Sequence, residues 1–92
     1  MPVVLKEKTV SLTAIIEPSE GKFVAYCPEL DLAAEGETTE IAFDALIEIA
    51  IDYAEQYMEE IELFSKAPNR ASHLPFVQAI IEQKEKVKEL FT

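Results

Sequence analysis

Apolar and polar residues alternate near the start of the chain, which is the pattern of a half-buried β-strand. The apolar positions in residues 9–16 are spaced by two: Val10, Leu12, Ala14 and Ile16. Residues 23–27 have the aromatic and β-branched content of a second strand. Between these two runs, Pro18 and Gly21 predict a turn in residues 18–22. A third short strand is predicted for residues 30–35, ended by Gly36.

A long helix is predicted to follow the strands. Residues 39–64 contain no Gly or Pro and are rich in Ala, Leu, Ile and Glu, and Thr38 is a suitable N-cap. One apolar stripe of this helix is expected to cover the sheet, and it consists of Ala42, Leu46, Ile49, Tyr53 and Tyr57.

A second apolar stripe lies further round the same helix. It contains Ala54 together with Phe43, Ile47, Ile51, Met58 and Ile61. Two stripes present more apolar surface than a three-stranded sheet can cover. The excess predicts self-association through these five larger residues, or a C-terminal segment docked on them.

The C-terminal part is predicted to be a loop followed by a helix. Residues 65–73 contain the Pro, Asn, Ser and small residues of a loop. Leu74, Val77, Ile81, Val87 and Phe91 fit one helical face, with Pro75 in the first turn. Because the apolar run is short, residues 74–82 also fit a fourth strand. Residues 82–90 mix both charge signs and are expected to form exposed closing turns.

Acidic residues are concentrated in one part of the chain. The net charge is −10, and residues 29–62 hold twelve acids with no Lys or Arg. Seven of these acids recur every three or four residues and form a ridge along the predicted helix: Glu40, Asp44, Glu48, Asp52, Glu55, Glu59 and Glu62. Such a surface repels nucleic acid and suits a basic protein partner, although a solvated helix face has the same pattern.

Length and composition indicate one small domain of residues 1–92, divided into a core of residues 9–64 and a C-terminal loop and helix of residues 65–92. No segment has the roughly 20 apolar residues that span a bilayer, and the first residues lack the features of a signal peptide. The single cysteine, Cys27, cannot form an internal disulfide. We therefore expect a cytoplasmic protein without a membrane segment.

Three residues are candidates for catalysis. Glu17 lies at a strand end, as a metal-dependent nuclease would require of one carboxylate, but the other acids lie on the helix. His73 has no second ligand or base nearby in sequence, and Cys27 has no basic neighbour that would lower its pKa. The sequence thus predicts no catalytic residue, no metal site and no cofactor.

The ordered elements of residues 12–57 resemble the HicB-like antitoxin family. A strand leads to the turn Glu17-Pro18 with Gly21, a second strand ends in Pro28-Glu29-Leu30, and Gly36-Glu37-Thr38 opens the helix. The resemblance implies an α+β fold of β-β-β-α order, like part of ribonuclease H or a dsRNA-binding domain. It also implies a partner, a small basic RNA-cleaving toxin of the HicA type.

Charge and resemblance together predict an antitoxin-like module, not an enzyme, that covers a basic toxin with the acidic ridge. The module is expected to be a homodimer or higher homo-oligomer. Residues 65–92 lack the length and basic face of a helix-turn-helix, so direct binding of nucleic acid is not expected. Two alternatives stay open: a metal-dependent nuclease of ribonuclease-H-like type, and an orphan structural dimer.

Overall fold

The computed structural model describes residues 10–91, so Thr9, where the first strand was predicted to begin, lies outside the described residues. The elements are β1 (Ile15–Ser19), β2 (Lys22–Cys27), β3 (Leu32–Gly36), α1 (Thr39–Glu59), α2 (Ile61–Phe64) and α3 (Leu74–Glu82), with 3₁₀ helices at Ala71–His73 and Lys84–Leu90. The three strands form an antiparallel sheet in the order β1-β2-β3. This arrangement confirms the predicted α+β fold.

The first strand lies later in the chain than predicted, because β1 covers Ile15–Ser19 instead of residues 9–16. Three of the four apolar positions are nevertheless confirmed as inward: Leu12 is buried, and Ala14 and Ile16 pack against the core. Val10 is partly exposed and does not belong to the core. Leu12 forms an isolated parallel bridge with Phe91, and its N–H donates to the carbonyl of Leu90 at 2.7 Å. The residues before β1 therefore pair with the C-terminal end of the chain and not with β2.

A tight two-residue turn joins β1 to β2. Glu20 and Gly21 both have positive φ, 53° and 84°, as a type I′ hairpin requires. Pro18 lies within β1, opposite Phe23, so its predicted place in the turn is wrong. Proline is tolerated there because β1 is an edge strand.

Helix α1 covers the inner face of the sheet, mainly over β3 and β2. Ala25 and Cys27 of β2 are fully buried beneath it, as are Ala42 and Leu46 of the helix. The predicted N-cap is confirmed, because Thr38 Oγ1 accepts a hydrogen bond from the Ile41 N–H at 3.0 Å. Burying a side chain the size of leucine contributes about 1.5–3 kcal/mol, so this layer supplies much of the folding free energy.

The helix ends five residues earlier than predicted. Glu60 has the non-helical angles φ −122° and ψ 44°, and it separates α1 from the short α2. The Glu60 N–H still bonds the carbonyls of Gln56 and Tyr57. Nothing in the local sequence indicates this break, since residues 39–64 contain no Gly or Pro.

The C-terminal part of the chain packs against α1. Residues 74–82 form a helix, α3, and not the alternative fourth strand. We call residues 84–91 the C-terminal segment. Val87 and Leu90 of this segment are buried, so the prediction of exposed closing turns is wrong. These residues are buried because they fill the space between α1 and the chain around Leu12.

Candidate functional site

The acidic ridge is a continuous exposed surface of the helical layer. All seven side chains are exposed, and they are the residues predicted to bind a partner: Glu40, Asp44, Glu48, Asp52, Glu55, Glu59 and Glu62. Six of them belong to α1, whereas Glu62 lies in α2 beyond the break at Glu60. The helix therefore presents its carboxylates on the side turned away from the sheet.

Two carboxylates of the ridge are paired within the chain. Lys88 Nζ lies 2.8 Å from Asp44 Oδ1, and Lys84 pairs with Glu55. These pairs were not predicted, because the lysines are distant in sequence from their partners and were expected on exposed turns. Among the ion pairs found in residues 10–91, none involves the other five ridge carboxylates.

The part of the chain that follows α2 covers part of the second apolar stripe. The Phe43 and Phe91 rings meet edge to face, with centroids 5.6 Å apart, and Ile47 is only 8% exposed. Ile51, Met58 and Ile61 are partly buried and pack against the core. The structure thus places a docked C-terminal segment on this stripe, and self-association through it stays a prediction.

One residue assigned to the first stripe does not cover the sheet. Ile49 is 37% exposed, whereas Ala42, Leu46, Tyr53 and Tyr57 are buried. Ile49 lies at the margin of the buried face, on the flank of α1 that faces away from the C-terminal segment. Ile41, the residue immediately before the buried Ala42, is also exposed, at 53%.

His73 is a buried polar residue in the 3₁₀ turn that precedes α3. Its Nδ1 lies 2.6 Å from the Tyr53 hydroxyl, and Arg70 stacks over the Tyr53 and Phe64 rings. Burial of the imidazole, followed by repulsion from Arg70, lowers the pKa of His73 below its ordinary value. Burial raises the pKa of Tyr53. The two groups therefore form a neutral hydrogen-bonded pair that holds the loop against α1.

Glu29 fixes the start of the sheet. Its carboxylate accepts hydrogen bonds from the Thr13 N–H at 2.9 Å and the Thr13 hydroxyl at 2.7 Å. Burial opposes ionisation of Glu29, but the hydrogen bonds from Thr13 outweigh this effect and the pKa of Glu29 is lowered. Beside it, burial raises the pKa of the Cys27 thiol to about 11. Cys27 is therefore a buried, protonated thiol at neutral pH.

The carboxylates do not converge as the nuclease alternative requires. Glu17 is exposed in β1 and lies on the outer face of the sheet, because its neighbour Ile16 packs inward. The ridge lies on the opposite side of the molecule, across α1. Within residues 10–91, no group of three His, Cys, Asp or Glu side chains is placed to hold a metal ion.

A three-stranded antiparallel sheet with one helical layer and a broad acidic surface defines a small α+β protein. The family described as PHD_like, "Antitoxin of toxin-antitoxin, RelE / RelB, TA system", matches residues 2–91. The chain belongs to this family of antitoxins. No curated protein matches the chain.

A solved structure gives the same result. The crystal structure of a protein from Syntrophomonas wolfei subsp. wolfei, described as an antitoxin part of a toxin/antitoxin system, superposes with a TM-score of 0.78 at 26% sequence identity. The match covers 89% of this chain and 61% of that one, so the chain spans less than two thirds of this relative's length. In residues 10–91, no helix is both long and apolar enough to cross a bilayer.

The comparisons support the predicted antitoxin at the level of the toxin-antitoxin system. The family description refers to RelE and RelB, whereas the sequence resemblance was to HicB-like antitoxins. The family match therefore supports an antitoxin without assigning the HicA type to its toxin.

Proposed function

We propose that the chain is an antitoxin that neutralises a small basic RNA-cleaving toxin by covering it with the acidic ridge. The observation that carries the proposal is the set of five exposed ridge carboxylates without an ion pair in the described residues: Glu40, Glu48, Asp52, Glu59 and Glu62. In a member of an antitoxin family, such a surface matches a partner rich in Lys and Arg.

Electrostatics favours a basic protein over other partners. Like charges three or four residues apart on a helix oppose each other by about 0.2–0.5 kcal/mol per pair, so the ridge does not stabilise the isolated helix. Cations from a partner would remove this repulsion and would also accelerate association. The carboxylates of the ridge would repel the negatively charged phosphate backbone of RNA or DNA. Direct binding of nucleic acid through this surface is therefore disfavoured.

The resemblance of residues 12–57 favours a toxin of the HicA type. The family description makes a RelE-type toxin the second candidate. Because the substrate of a HicA-type toxin is RNA, we expect the antitoxin and its toxin to act in the cytoplasm. A gene for a small basic protein beside the gene of this chain would distinguish the two types by its sequence class.

A charge-neutralised variant tests the role of the ridge. We expect the combined substitutions Glu48→Gln, Asp52→Asn and Glu59→Gln to weaken binding of the purified neighbouring toxin at least about tenfold, or 1.4 kcal/mol. Binding is measured by titration calorimetry, and loss of neutralisation is measured by cleavage of an RNA substrate. The matched control, Glu17→Gln, Glu20→Gln and Glu89→Gln, changes the net charge equally and is expected to bind normally.

Two outcomes contradict the proposal. If the wild-type chain neither binds the toxin nor stops RNA cleavage, the proposed antitoxin function is wrong. If both triple variants lose affinity equally, net charge and not the ridge determines binding.

Self-association is a separate part of the proposal. The physical basis for an interface at Phe43, Ile47, Ile51, Met58 and Ile61 is smaller than the sequence suggested, because the chain's own C-terminal half covers part of this stripe. Light scattering on the purified chain, with Met58→Glu as the variant, tests whether a homodimer uses what remains exposed.

A further inference from the structure

The outer edge of β3 has no partner strand in residues 10–91. The two-residue turn makes Ser19 and Lys22 a hydrogen-bonded pair, so alternate residues of β2 point their backbone groups to β1 and to β3. Phe23, Ala25 and Cys27 therefore bond β3 at Gly36, Ala34 and Leu32. The N–H and C=O groups of Ala33 and Glu35 consequently point outward from the free edge.

The other edge of the sheet is less suitable for pairing. By the same alternation, Pro18 lies at a position of β1 whose backbone faces outward. Proline has no N–H to donate, which is how many proteins protect an edge strand. The β3 edge has no proline, and its residues Ala33 and Ala34 are small.

An exposed apolar row of α1 runs beside the free edge of β3. At one end, Ile41 lies so close to the end of β3 that a Cβ on Gly36 would stand 2.7 Å from Ile41 Cγ2. At the other end, Leu32 and Tyr53 line the same pocket. Helix and strand are therefore antiparallel. The C-terminal segment, in which Phe91 bridges Leu12 ahead of β1 and meets Phe43, occupies the flank of α1 towards β1, so the row Ile41, Ala45 and Ile49 lies on the flank towards β3. Ile41 and Ile49 are 53% and 37% exposed.

Negative charge surrounds this row. Glu48 and Asp52 of the ridge lie within one helical turn of Ala45 and Ile49, respectively, and Glu37 follows the end of β3. These three carboxylates are exposed and have no ion pair among the described residues, whereas Glu35 is paired with Lys22. The surface thus combines a free strand edge, an apolar row and unpaired acids.

We propose that the β3 edge and the row Ile41, Ala45 and Ile49 receive an extended, basic segment of the toxin as a fourth strand. This inference rests on the proposed function. The segment would bond the outward backbone groups of Ala33 and Glu35, place apolar side chains on the row, and bring Lys or Arg to Glu37, Glu48 and Asp52. A second copy of this chain fits less well, because it would bring the same carboxylates to the interface.

The free edge is tested with a pair of substitutions at one residue. Ala33→Pro removes an outward N–H without removing a bond between β2 and β3, and Ala33→Thr retains that N–H. We expect Ala33→Pro to weaken binding of the purified neighbouring toxin at least about tenfold, and Ala33→Thr to bind as the wild type does. Circular dichroism and thermal melting are measured for both variants.

The apolar row is tested independently of the backbone. Ile49→Lys places a positive charge where the proposed basic segment lies, and it is expected to weaken binding about tenfold or more. Ile15→Lys is the matched control, because Ile15 is 41% exposed and lies on the outer face of the sheet, away from the row.

The outcomes separate this inference from the proposed function. If the wild-type chain binds the toxin and both Ala33→Pro and Ile49→Lys bind equally well, the docking surface is wrong and the antitoxin function stands. If the wild-type chain binds no toxin, both are wrong. Light scattering measures whether the wild-type chain is a dimer that Ala33→Pro converts to a monomer. Such a result would assign the β3 edge to a second copy of this chain and would also overturn the inference.

Discussion

At the scale of single residues, buried polar groups hold the loops against the secondary structure. The Tyr53 and His73 pair joins α1 to the turn before α3, and Tyr57 donates from its hydroxyl to the carbonyl of Arg70 at 3.0 Å. Glu29 performs the same role for the chain before β1. The sequence showed a lone histidine in a loop, but its partner is twenty residues away and only the fold brings the two together.

The His73 pair predicts a specific dependence of stability on pH. The pKa of His73 is lowered in the folded state, so folding favours the neutral ring. The pair therefore makes its full contribution to the free energy of unfolding above pH 6.5, the ordinary pKa of histidine. This contribution decreases as the pH falls below 6.5. We expect urea denaturation to show that the free energy of unfolding of the wild type decreases below pH 6.5. In His73→Gln this decrease should be absent.

A control separates the proton from the hydrogen bond. Tyr53→Phe leaves the buried His73 Nδ1 without its partner and is expected to lower the free energy of unfolding by about 1–3 kcal/mol at pH 8. It retains a buried imidazole that titrates, so the loss below pH 6.5 should persist. A wild-type profile that is flat between pH 5 and 7 would contradict the assignment.

At the scale of elements, close contact between β3 and α1 fixes the angle between the strand and the helix. The cap at Thr38 and the small residue Gly36 lie on either side of this junction. The cap was predicted from residue type, because an N-cap depends on local backbone geometry. The close approach at Gly36 was not predicted, because it depends on where the helix lies after the turn.

The two glycines are expected to respond to substitution for different reasons. In Gly36→Ala the new Cβ would meet the backbone nitrogen of Ala42 at 2.5 Å, and we expect a loss of about 1–3 kcal/mol of stability from overpacking. Gly21 has open space around it but a φ of 84°, so Gly21→Ala is destabilising through backbone strain.

Equilibrium denaturation of four variants separates these causes. Gly21→Asn should restore most of the stability lost in Gly21→Ala, because Asn tolerates positive φ. Gly36→Ser should remain as unstable as Gly36→Ala, because any Cβ meets the same backbone atoms. Full stability of Gly36→Ala would show that α1 can move away from β3 without cost.

At the scale of the whole molecule, the C-terminal segment determines which surfaces remain free. Its buried residues cover one stripe of α1, and its lysines neutralise Asp44 and Glu55 on that flank. The opposite flank keeps its apolar row, and its acids have no ion pair within residues 10–91. Lys84 and Lys88 therefore neutralise only the side of the ridge that faces the C-terminal segment.

Releasing the two paired carboxylates is expected to strengthen toxin binding. Such exposed ion pairs contribute at most about 1 kcal/mol each, so Lys84→Gln with Lys88→Gln should change the melting temperature little. The variant gains two free carboxylates on the ridge and should bind the toxin more tightly in calorimetry. Lys66→Gln with Lys86→Gln makes the same change in net charge without breaking any ion pair found in residues 10–91, and an equal gain there would attribute the effect to net charge alone.

Sequence alone determined the features that depend on spacing and local conformation. These are the inward positions Leu12, Ala14 and Ile16, the Thr38 cap, the helical face that carries the carboxylates, and the concentration of acid in residues 29–62. Tertiary structure decided the break at Glu60, the pairing of Leu12 with the C-terminal end, the ion pairs of Lys84 and Lys88, and the free edge of β3. Periodicity describes one element at a time, whereas each of these features depends on which elements lie next to each other.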